Sequence, residues 1–349
     1  MITCQILCHS NSAHLSQIYT GFLLLHQAGE IEISQKWVKP SHLNKSRPQH
    51  LRDAARTHLR VIVNGRLELH YDCHDSYEID EVAAAEVDCY FKRSYAPFEI
   101  RPSLRARVFP LGLNYEVYGN ERDEFEKQRL SSFPGPATNE NELPFRPTVE
   151  NTEALPNYDL EPRLLFITRA WDPYDHPDRS AEKIEERIRI NETRARCIQL
   201  LKREFGDCFV GGLIHTEYAV RNYADALLSD NQVSQKENYL NLLKGYSVCV
   251  ASTGLHGSIG WKLAEYVAFS KAIVSERLKY QVPGSFKAGT NYLEFEQPEQ
   301  CLATARTLLS DTNLRSGMML SNYEYYKAHL RPDAMIRRTL QVALSRPSL

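Results

Sequence analysis

The chain has 349 residues, of which 42% are hydrophobic and 25% charged, values typical of an ordinary soluble globular protein. This length is sufficient for two domains of about 100–200 residues each. A net charge of −2 gives no strongly basic surface of the kind that nucleic-acid-binding proteins present, so we expect no nucleic acid as partner. The longest apolar runs, such as residues 21–25 and 248–251, fall far short of the ~20 residues of a membrane span.

The N-terminal residues lack a cationic segment followed by an apolar core and a small-residue cleavage site, so we expect a cytoplasmic rather than a secreted protein. Peripheral contact with a membrane is left open. The cysteines are scattered and form no Cys-x-x-Cys pair, which is typical of reduced and mostly buried thiols. Cys4, Cys8 and His9 are close in sequence, but their apolar flanks favour a buried strand over a metal site.

The first part of the chain alternates between strand-like and helix-like segments. Residues 1–9 predict a buried strand, and residues 15–27 carry apolar side chains at helical spacing up to Gly29. Asn64 and Gly65 separate two strand-like segments, and this dipeptide supplies the positive φ angles of a tight hairpin turn. Further predictions are a strand at residues 31–38, a strand with its exit loop at 88–95 and another at 106–117, a polar surface excursion at 39–58 and a short helix at 79–87.

Residues 131–160 are rich in proline and lack periodicity, which predicts an interdomain linker. Strand and helix patterns then alternate from residue 164 to residue 276, which is typical of a parallel, doubly wound sheet. The expected organisation is an α/β protein with a domain at residues 1–130, the linker at 131–160, a second domain at 161–315 and a C-terminal helical segment at 316–349.

The segment that says most about function is residues 251–276, ASTGLHGSIGWKLAEYVAFSKAIVSE. A strand runs into a loop of small residues, and a helix is predicted to begin near Trp261. Small residues let the backbone approach a ligand closely, and a helix start offers N–H groups and a positive dipole end to an anion. Lys262 adds a full charge, and Glu265 lies near the same helix face. This arrangement suits a nucleotide sugar, with the diphosphate on the helix start and ribose hydroxyls on Glu265; a loop without any ligand is the alternative.

The same segment resembles the donor-binding segment of GT-B glycosyltransferases, in which a glycine-containing loop, a helix with a glutamate and a "GxPVV"-like strand follow in this order. The matching features are Gly260, then Glu265 in KLAEYVA, then SKAIVSE. Retaining members place another glutamate eight positions earlier, where this chain has Gly257. The segment is therefore closer to exostosin-like and fucosyltransferase-like variants, and the choice between retaining and inverting transfer is left open.

The resemblance extends over residues 160–310 and, through the order of elements and FPLGLNYEV, over residues 1–130. It implies two Rossmann-like domains facing across a cleft, with the final helix crossing back to the first domain. It also implies metal-independent transfer of a sugar from a nucleotide sugar to a hydroxyl acceptor such as a glycan, in polysaccharide or glycoconjugate biosynthesis, without a cofactor. Two alternatives stay open: a nucleotide-sugar 2-epimerase of the same fold, and a catalytically silent module that binds a nucleotide or glycan.

Two arginines of the second domain, one after a strand and one on the next helix, are candidates for contacts to the donor. Arg169 follows a predicted strand in LLFITRAW, and the resemblance implies that it neutralises the departing diphosphate; a surface arginine paired with Asp172 is the alternative. Arg194, one turn after Asn191, either braces the diphosphate loop or lies on a solvated helix face. The glycines of FVGGLIH either admit a nucleotide or form a turn. The donor-binding set is Arg169, Arg194, Ser252, Gly254, His256, Ser258, Gly260, Lys262 and Glu265.

An inverting transfer needs a carboxylate or histidine that takes the proton of the acceptor hydroxyl. His14 and the cluster of Asp72, His74 and Asp75 follow predicted strands of the first domain, although such a cluster is also typical of a metal site or a capped turn. No Asp-x-Asp-like pair follows a strand in the second domain, so we expect no metal. The candidate bases are His14, His74 and Asp75, and the candidate contacts to an anionic acceptor are Lys92 and Arg93.

Overall fold

The computed structural model describes residues 1–38, 55–120 and 145–346. The chain divides into two compact units. Residues 131–144 of the predicted linker and residues 39–54 of the predicted surface excursion lie outside the described residues, and the predicted domain boundaries stay predictions. Unit 1 comprises Met1–Asn151, Tyr280–Gly284 and Lys327–Leu349, and unit 2 comprises Thr152–Lys279 and Ser285–Tyr326.

The strands form one sheet in each unit. In unit 1 the described strands are β1 (Ile2–Cys8), β2 (Ile31–Trp37), β3 (His58–Val63), β4 (Leu67–Asp72), β5 (Cys89–Lys92) and β6 (Val108–Pro110). In unit 2 they are β7 (Leu164–Thr168), β8 (Phe209–Leu213), β9 (Val248–Ala251), β10 (Ala272–Glu276) and β11 (Leu293–Phe295).

The described helices are α1 (Ser16–Gln27), α2 (Glu81–Glu86), α3 (Val149–Thr152), α4 (Ala181–Phe205), α5 (Glu217–Asn222), α6 (Lys236–Lys244), α7 (Trp261–Ala268), α8 (Pro298–Ser310), α9 (Thr312–Tyr325) and α10 (Pro332–Leu344). Between α9 and α10 the chain makes a π-helical turn at Tyr326–Leu330. No helix within the described ranges is long and apolar enough to cross a lipid bilayer.

The unit 1 sheet has the order β2-β1-β3-β4-β5-β6. Strand β3 is antiparallel to β1 and β4, whereas the other neighbouring strands are parallel. The turn between β3 and β4 is the predicted hairpin, with φ angles of 52° at Asn64 and 66° at Gly65. The hairpin prediction is therefore confirmed, and it makes this sheet mixed rather than wholly parallel.

Helices cover both faces of the unit 1 sheet. On one face, α1 and α10 pack together over Ile6, Val61 and Phe91. Gly21 permits this contact, because a Cβ there would lie 2.3 Å from the carbonyl oxygen of Pro332. Tyr90 points to the opposite face, as strand alternation requires, and packs with residues of α2. The final helix α10 thus belongs to unit 1, although it follows unit 2 in the chain.

The unit 2 sheet has the order β11-β10-β9-β7-β8, and its described strands are all parallel. Every residue of β7 and β9 is buried, as expected for strands covered on both faces. Alternate residues such as Phe166, Val250 and Val274 join α4, α8 and α9 in one core, and α7 packs against β9 and β10. The predicted α/β class and the alternation of strands and helices in this region are confirmed.

Candidate functional site

The order of strands in unit 2 defines where a ligand would bind. From β7 the chain proceeds to β8 on one side, and then returns to β9 on the other side of β7. In open α/β sheets, ligands bind outside the carboxyl ends of the strands at such a reversal. Arg169 follows β7 and Ser252 follows β9, so the two loops predicted to bind the donor meet at this edge.

Arg194 of α4 joins these two loops. Its Nε donates to the Ser252 hydroxyl at 2.9 Å, one terminal nitrogen donates to the Arg169 carbonyl at 2.7 Å, and the other donates to the Thr253 carbonyl at 2.8 Å. The residue is 5% exposed. Burial lowers its pKa to about 10, with Glu276 opposing the shift and Arg169 adding to it. Of the two interpretations of Arg194 left open by the sequence, the contacts favour the brace.

Glu276, at the end of β10, holds the same loop from the other side. Its carboxylate accepts hydrogen bonds from the Thr253 backbone N–H at 2.6 Å and from the Thr253 hydroxyl at 3.0 Å. Sequence reasoning missed this residue. The available signal was an acidic residue at the carboxyl end of a strand beside the loop, in AIVSE.

The loop itself has a compact and specific backbone. The Gly254 N–H donates to the Ser258 carbonyl at 2.8 Å, and the His256 N–H donates to the Glu186 carboxylate of α4 at 2.7 Å. His256 and Gly257 have φ angles of 62° and 66°, a left-handed conformation that non-glycine residues rarely adopt. Gly257 therefore suits a tight turn, and a glutamate at that position would be strained.

Helix α7 begins directly after this loop. Its N-cap residue is Gly260, which has no side chain to accept hydrogen bonds from the first turn. The positive end of the helix dipole lies there, together with the first-turn residue Lys262. Other predicted residues of the loop, Ser252, Gly254, His256 and Ser258, precede it.

Lys262 is half-buried among cations. Its ammonium lies 3.6 Å from the ring centroid of Tyr239. Burial lowers the pKa of Lys262 to about 8; Glu265 opposes this shift, and the charges of Lys236 and Arg169 add to it. Burial and the neighbouring positive charges both disfavour the protonated form of Lys262. A bound anion would stabilise that form, so anion binding at Lys262 would be favourable.

Glu265 is 3% exposed, and its carboxylate accepts a hydrogen bond from the Lys236 ammonium at 2.5 Å. Burial acts to raise the pKa of Glu265, but the positive charges of Lys236 and Lys262 outweigh it, so the pKa is lowered and the carboxylate is ionised at neutral pH. The ribose contact of Glu265 stays a prediction. A ribose hydroxyl would have to displace or share the Lys236 contact to reach this carboxylate.

Arg169 is exposed, and its guanidinium lies 4.8 Å from the ring centroid of Trp171. The carboxylate of Asp172, the alternative partner, accepts a hydrogen bond from the Tyr174 N–H at 2.8 Å. Asn191 fixes this loop through hydrogen bonds of 2.8 and 2.7 Å to the backbone of Trp171. Arg169 thus presents its charge at the sheet edge from a loop held in place.

The paired glycines of β8 have a packing role. A Cβ on Gly211 would lie 2.4 Å from the Phe166 carbonyl oxygen, and one on Gly212 would lie 2.4 Å from the Leu228 nitrogen. Backbone therefore passes directly against backbone at both positions. This contact explains the glycines without a nucleotide, and they lie in a strand rather than in a turn.

In unit 1, Asp72 and Lys92 form a buried ion pair of 2.9 Å at the carboxyl ends of β4 and β5. The carboxylate also accepts from the Tyr90 hydroxyl at 2.5 Å and lies 3.2 Å from Nε2 of His58. Burial acts to raise the pKa of Asp72, but His58 and Lys92 hold it well below its usual range. Lys92 is fully buried, and its ammonium also contacts the His74 carbonyl, so it stabilises this loop and is not positioned to meet an acceptor.

The remaining candidates of unit 1 are Arg93, Asp75 and two histidines. Arg93 is 5% exposed and forms an ion pair with Asp75, whose side chain is partly exposed. His14 is half-buried; burial and the charge of Arg93 lower its pKa, and Asp75 opposes the shift. Burial also lowers the pKa of His74, with Lys92 acting in the same direction. Both histidines are therefore neutral at pH 7.

Within the described ranges, no three His, Cys, Asp or Glu side chains are grouped to hold a metal.

No family model and no curated protein matches this chain. Among solved structures, HepE from Anabaena in complex with UDP-glucose is 10% identical, with a TM-score of 0.44 and coverage of 99% of this chain and 100% of HepE. A glycosyltransferase from Rickettsia africae is 10% identical, with a TM-score of 0.44 and coverage of 98% and 85%. Sucrose-phosphate synthase from Thermosynechococcus elongatus is 13% identical, with a TM-score of 0.40 and coverage of 92% and 70%. The chain is similar to these three proteins over most of its length.

Proposed function

We propose that this chain is a glycosyltransferase that moves a sugar from a nucleotide-activated donor to a hydroxyl acceptor, and that unit 2 holds the donor. The observation that supports this proposal is the concentration of positive charge at the reversal of the unit 2 sheet. Arg169, Lys262 and the start of α7 lie at this edge, and burial, with the positive charges of Lys236 and Arg169 acting in the same direction, lowers the pKa of Lys262. Such a site is suited to an anion with the charge of a diphosphate.

The same positively charged groups would also stabilise the nucleoside diphosphate as it leaves the sugar. Breaking the bond between a sugar and a nucleoside diphosphate develops negative charge on the leaving oxygen. Preorganised cations and helix N–H groups stabilise such charge more strongly than water does, because they need no reorganisation during the reaction. We therefore propose that Arg169, Lys262 and the α7 dipole stabilise the leaving group, and that no metal is needed.

For the acceptor we propose unit 1, with His14 as the base. A histidine acts as a general base in its neutral form, and the lowered pKa of His14 keeps it neutral at pH 7. The neighbouring Asp75 would stabilise the imidazolium that forms, and Arg93 would attract an anionic acceptor such as a phosphate-bearing or uronic acid sugar. His74 is the second candidate base, since its pKa is also lowered.

The test is a calorimetric titration of the protein with UDP, GDP, ADP and CMP. Arg169→Ala and Lys262→Ala should each weaken the best nucleotide about ten- to a hundredfold, since a charged hydrogen bond contributes roughly 1.5–3 kcal/mol. Arg196→Ala is the matched control, because Arg196 lies in an exposed ion pair with Glu299 elsewhere in unit 2. Unchanged affinity in both site variants would place the donor elsewhere.

A second measurement separates transfer from isomerisation. Nucleotide sugars are incubated with and without a panel of glycan acceptors, and the released nucleoside diphosphate and the recovered sugar are both analysed. Transfer predicts acceptor-dependent release of the nucleoside diphosphate. Conversion of the donor sugar into an epimer without any acceptor would contradict it and support an epimerase.

A further inference from the structure

We propose that Arg194, Glu276 and Glu186 are positioning residues that hold the loop at residues 252–260 in its binding conformation before any ligand arrives. The proposal rests on the function proposed above, because the loop is taken to lead into the donor-binding start of α7. These three residues would set the affinity for a nucleoside diphosphate without touching it.

The contacts come from three directions and leave the loop little freedom. Arg194 binds the hydroxyl of Ser252 and the carbonyl of Thr253, and it ties both to the Arg169 carbonyl at the end of β7. Glu276 binds the N–H and hydroxyl of Thr253 from β10. The ends of β7, β9 and β10 are therefore joined through a single residue, Thr253, and its neighbours.

The second half of the loop is held by Glu186. Its carboxylate accepts from the His256 N–H at 2.7 Å, at the residue whose φ angle is 62°. A non-glycine residue is strained in this conformation, which persists only where its surroundings fix it. The strained turn at His256 is thus stabilised from α4, on which Arg194 also lies.

The negative charge of Glu276 makes it possible to distinguish a residue that positions the loop from one that acts on the nucleotide through its charge. Glu276 is a negative group close to a site proposed to bind an anion, so its charge alone opposes binding. If Glu276 acted only through its charge, Glu276→Gln would strengthen nucleotide binding. If Glu276 positions Thr253, the same change weakens binding, because an amide makes a weaker hydrogen bond to the Thr253 N–H than a carboxylate does. The two roles predict changes of opposite sign.

The experiment compares wild type with Glu276→Gln and Arg194→Lys, using Glu299→Gln as a matched acid-to-amide control in an exposed ion pair. Hydrogen exchange is measured first, on the protein without ligand, in peptides that cover residues 250–262. Both brace variants should exchange these amides at least about tenfold faster, and the control should not. Unchanged exchange in both brace variants would overturn the proposal.

Binding of UDP and GDP is then measured by calorimetry. We expect Glu276→Gln and Arg194→Lys to bind the preferred nucleotide about five- to twentyfold more weakly, although Arg194→Lys keeps the positive charge. Tighter binding by Glu276→Gln, or wild-type affinity in both variants, would overturn the positioning role. If the wild type binds neither these nucleotides nor ADP and CMP, the proposed function fails, whereas faster exchange in the brace variants would still show that these residues order the loop.

Discussion

On the proposed function, Lys262 should make nucleotide binding sensitive to alkaline pH. Burial, with contributions from Lys236 and Arg169, lowers the pKa of Lys262 to about 8. The protonated ammonium attracts a diphosphate and the neutral amine does not, so affinity should fall as the pH rises through this value. Binding should also raise the pKa, because the bound anion favours the charged form, and the protein should then take up a proton on binding.

The size of the expected change in nucleotide affinity follows from the titration of Lys262 alone. With a pKa of about 8, the ammonium form makes up about 90% of the empty protein at pH 7 and about 10% at pH 9. The apparent dissociation constant for UDP or GDP should therefore rise about tenfold over this interval. The phosphate groups of the nucleotide are already ionised at pH 7, so they contribute little to the change.

The assay is calorimetry at pH 7, 8 and 9, each in two buffers with different ionisation enthalpies so that proton uptake is measured directly. Lys262→Arg is the control, since arginine stays charged throughout this range and should show an affinity that is nearly independent of pH. Lys271, whose pKa burial also lowers to about 8, is unchanged in the control. A flat wild-type profile, or an equal fall in Lys262→Arg, would refute the assignment to Lys262.

Three further predictions concern metal, packing and acid stability. Sugar transfer should be unchanged in EDTA, because cationic side chains are proposed to serve the leaving group; loss of turnover that Mn²⁺ or Mg²⁺ restores would contradict this mechanism. Gly21→Ala should lower the thermal unfolding midpoint, since its Cβ would lie 2.3 Å from a carbonyl oxygen of α10, whereas Gly317→Ala in α9, with open space around it, should not. Burial and the charge of His58 hold the pKa of His70 well below its usual value, so the free energy of unfolding should fall as the pH drops below about 6.5. In His70→Asn this fall should be shallower by up to about 1.4 kcal/mol per pH unit. Equal pH dependence of the two proteins in urea unfolding would contradict the role of His70.

The sequence predicted the elements of unit 2 well, because buried parallel strands appear as short apolar runs between helical patterns. The start of α4 was not evident from the sequence, because the first turns of this helix are mostly charged and carry little apolar periodicity. The start is fixed instead by the Ser180 side chain, which accepts a hydrogen bond from the Lys183 N–H. In unit 1 the Asn64-Gly65 turn was clear, but the insertion of β3 between two strands that run the other way depends on contacts distant in sequence.

For the site, the sequence identified the loop and the edge of the sheet but did not separate residues that face a ligand from residues that hold the loop. Arg169 follows a strand and Arg194 lies on the next helix, and both are arginines that the pattern places near the ligand-binding edge. Arg169 is exposed, whereas Arg194 is 5% exposed and uses its guanidinium on backbone and hydroxyl groups. Lys92 and Arg93 are neighbours in sequence and both are buried, yet Lys92, the last residue of β5, pairs with Asp72, and Arg93 pairs with Asp75.

Gly257 shows how a local conformation can replace a motif residue. A glutamate there would complete the paired-acid pattern, but the φ angle of 66° favours glycine, and a Cβ would lie 2.9 Å from the side chain of Lys279. Glu276 and Glu186 instead supply carboxylates to the loop from β10 and α4, where they accept backbone N–H groups of Thr253 and His256. Neither glutamate lies within the loop itself. A sequence motif that requires two acidic residues in this one segment would therefore not match the chain, although two carboxylates hold the loop in place.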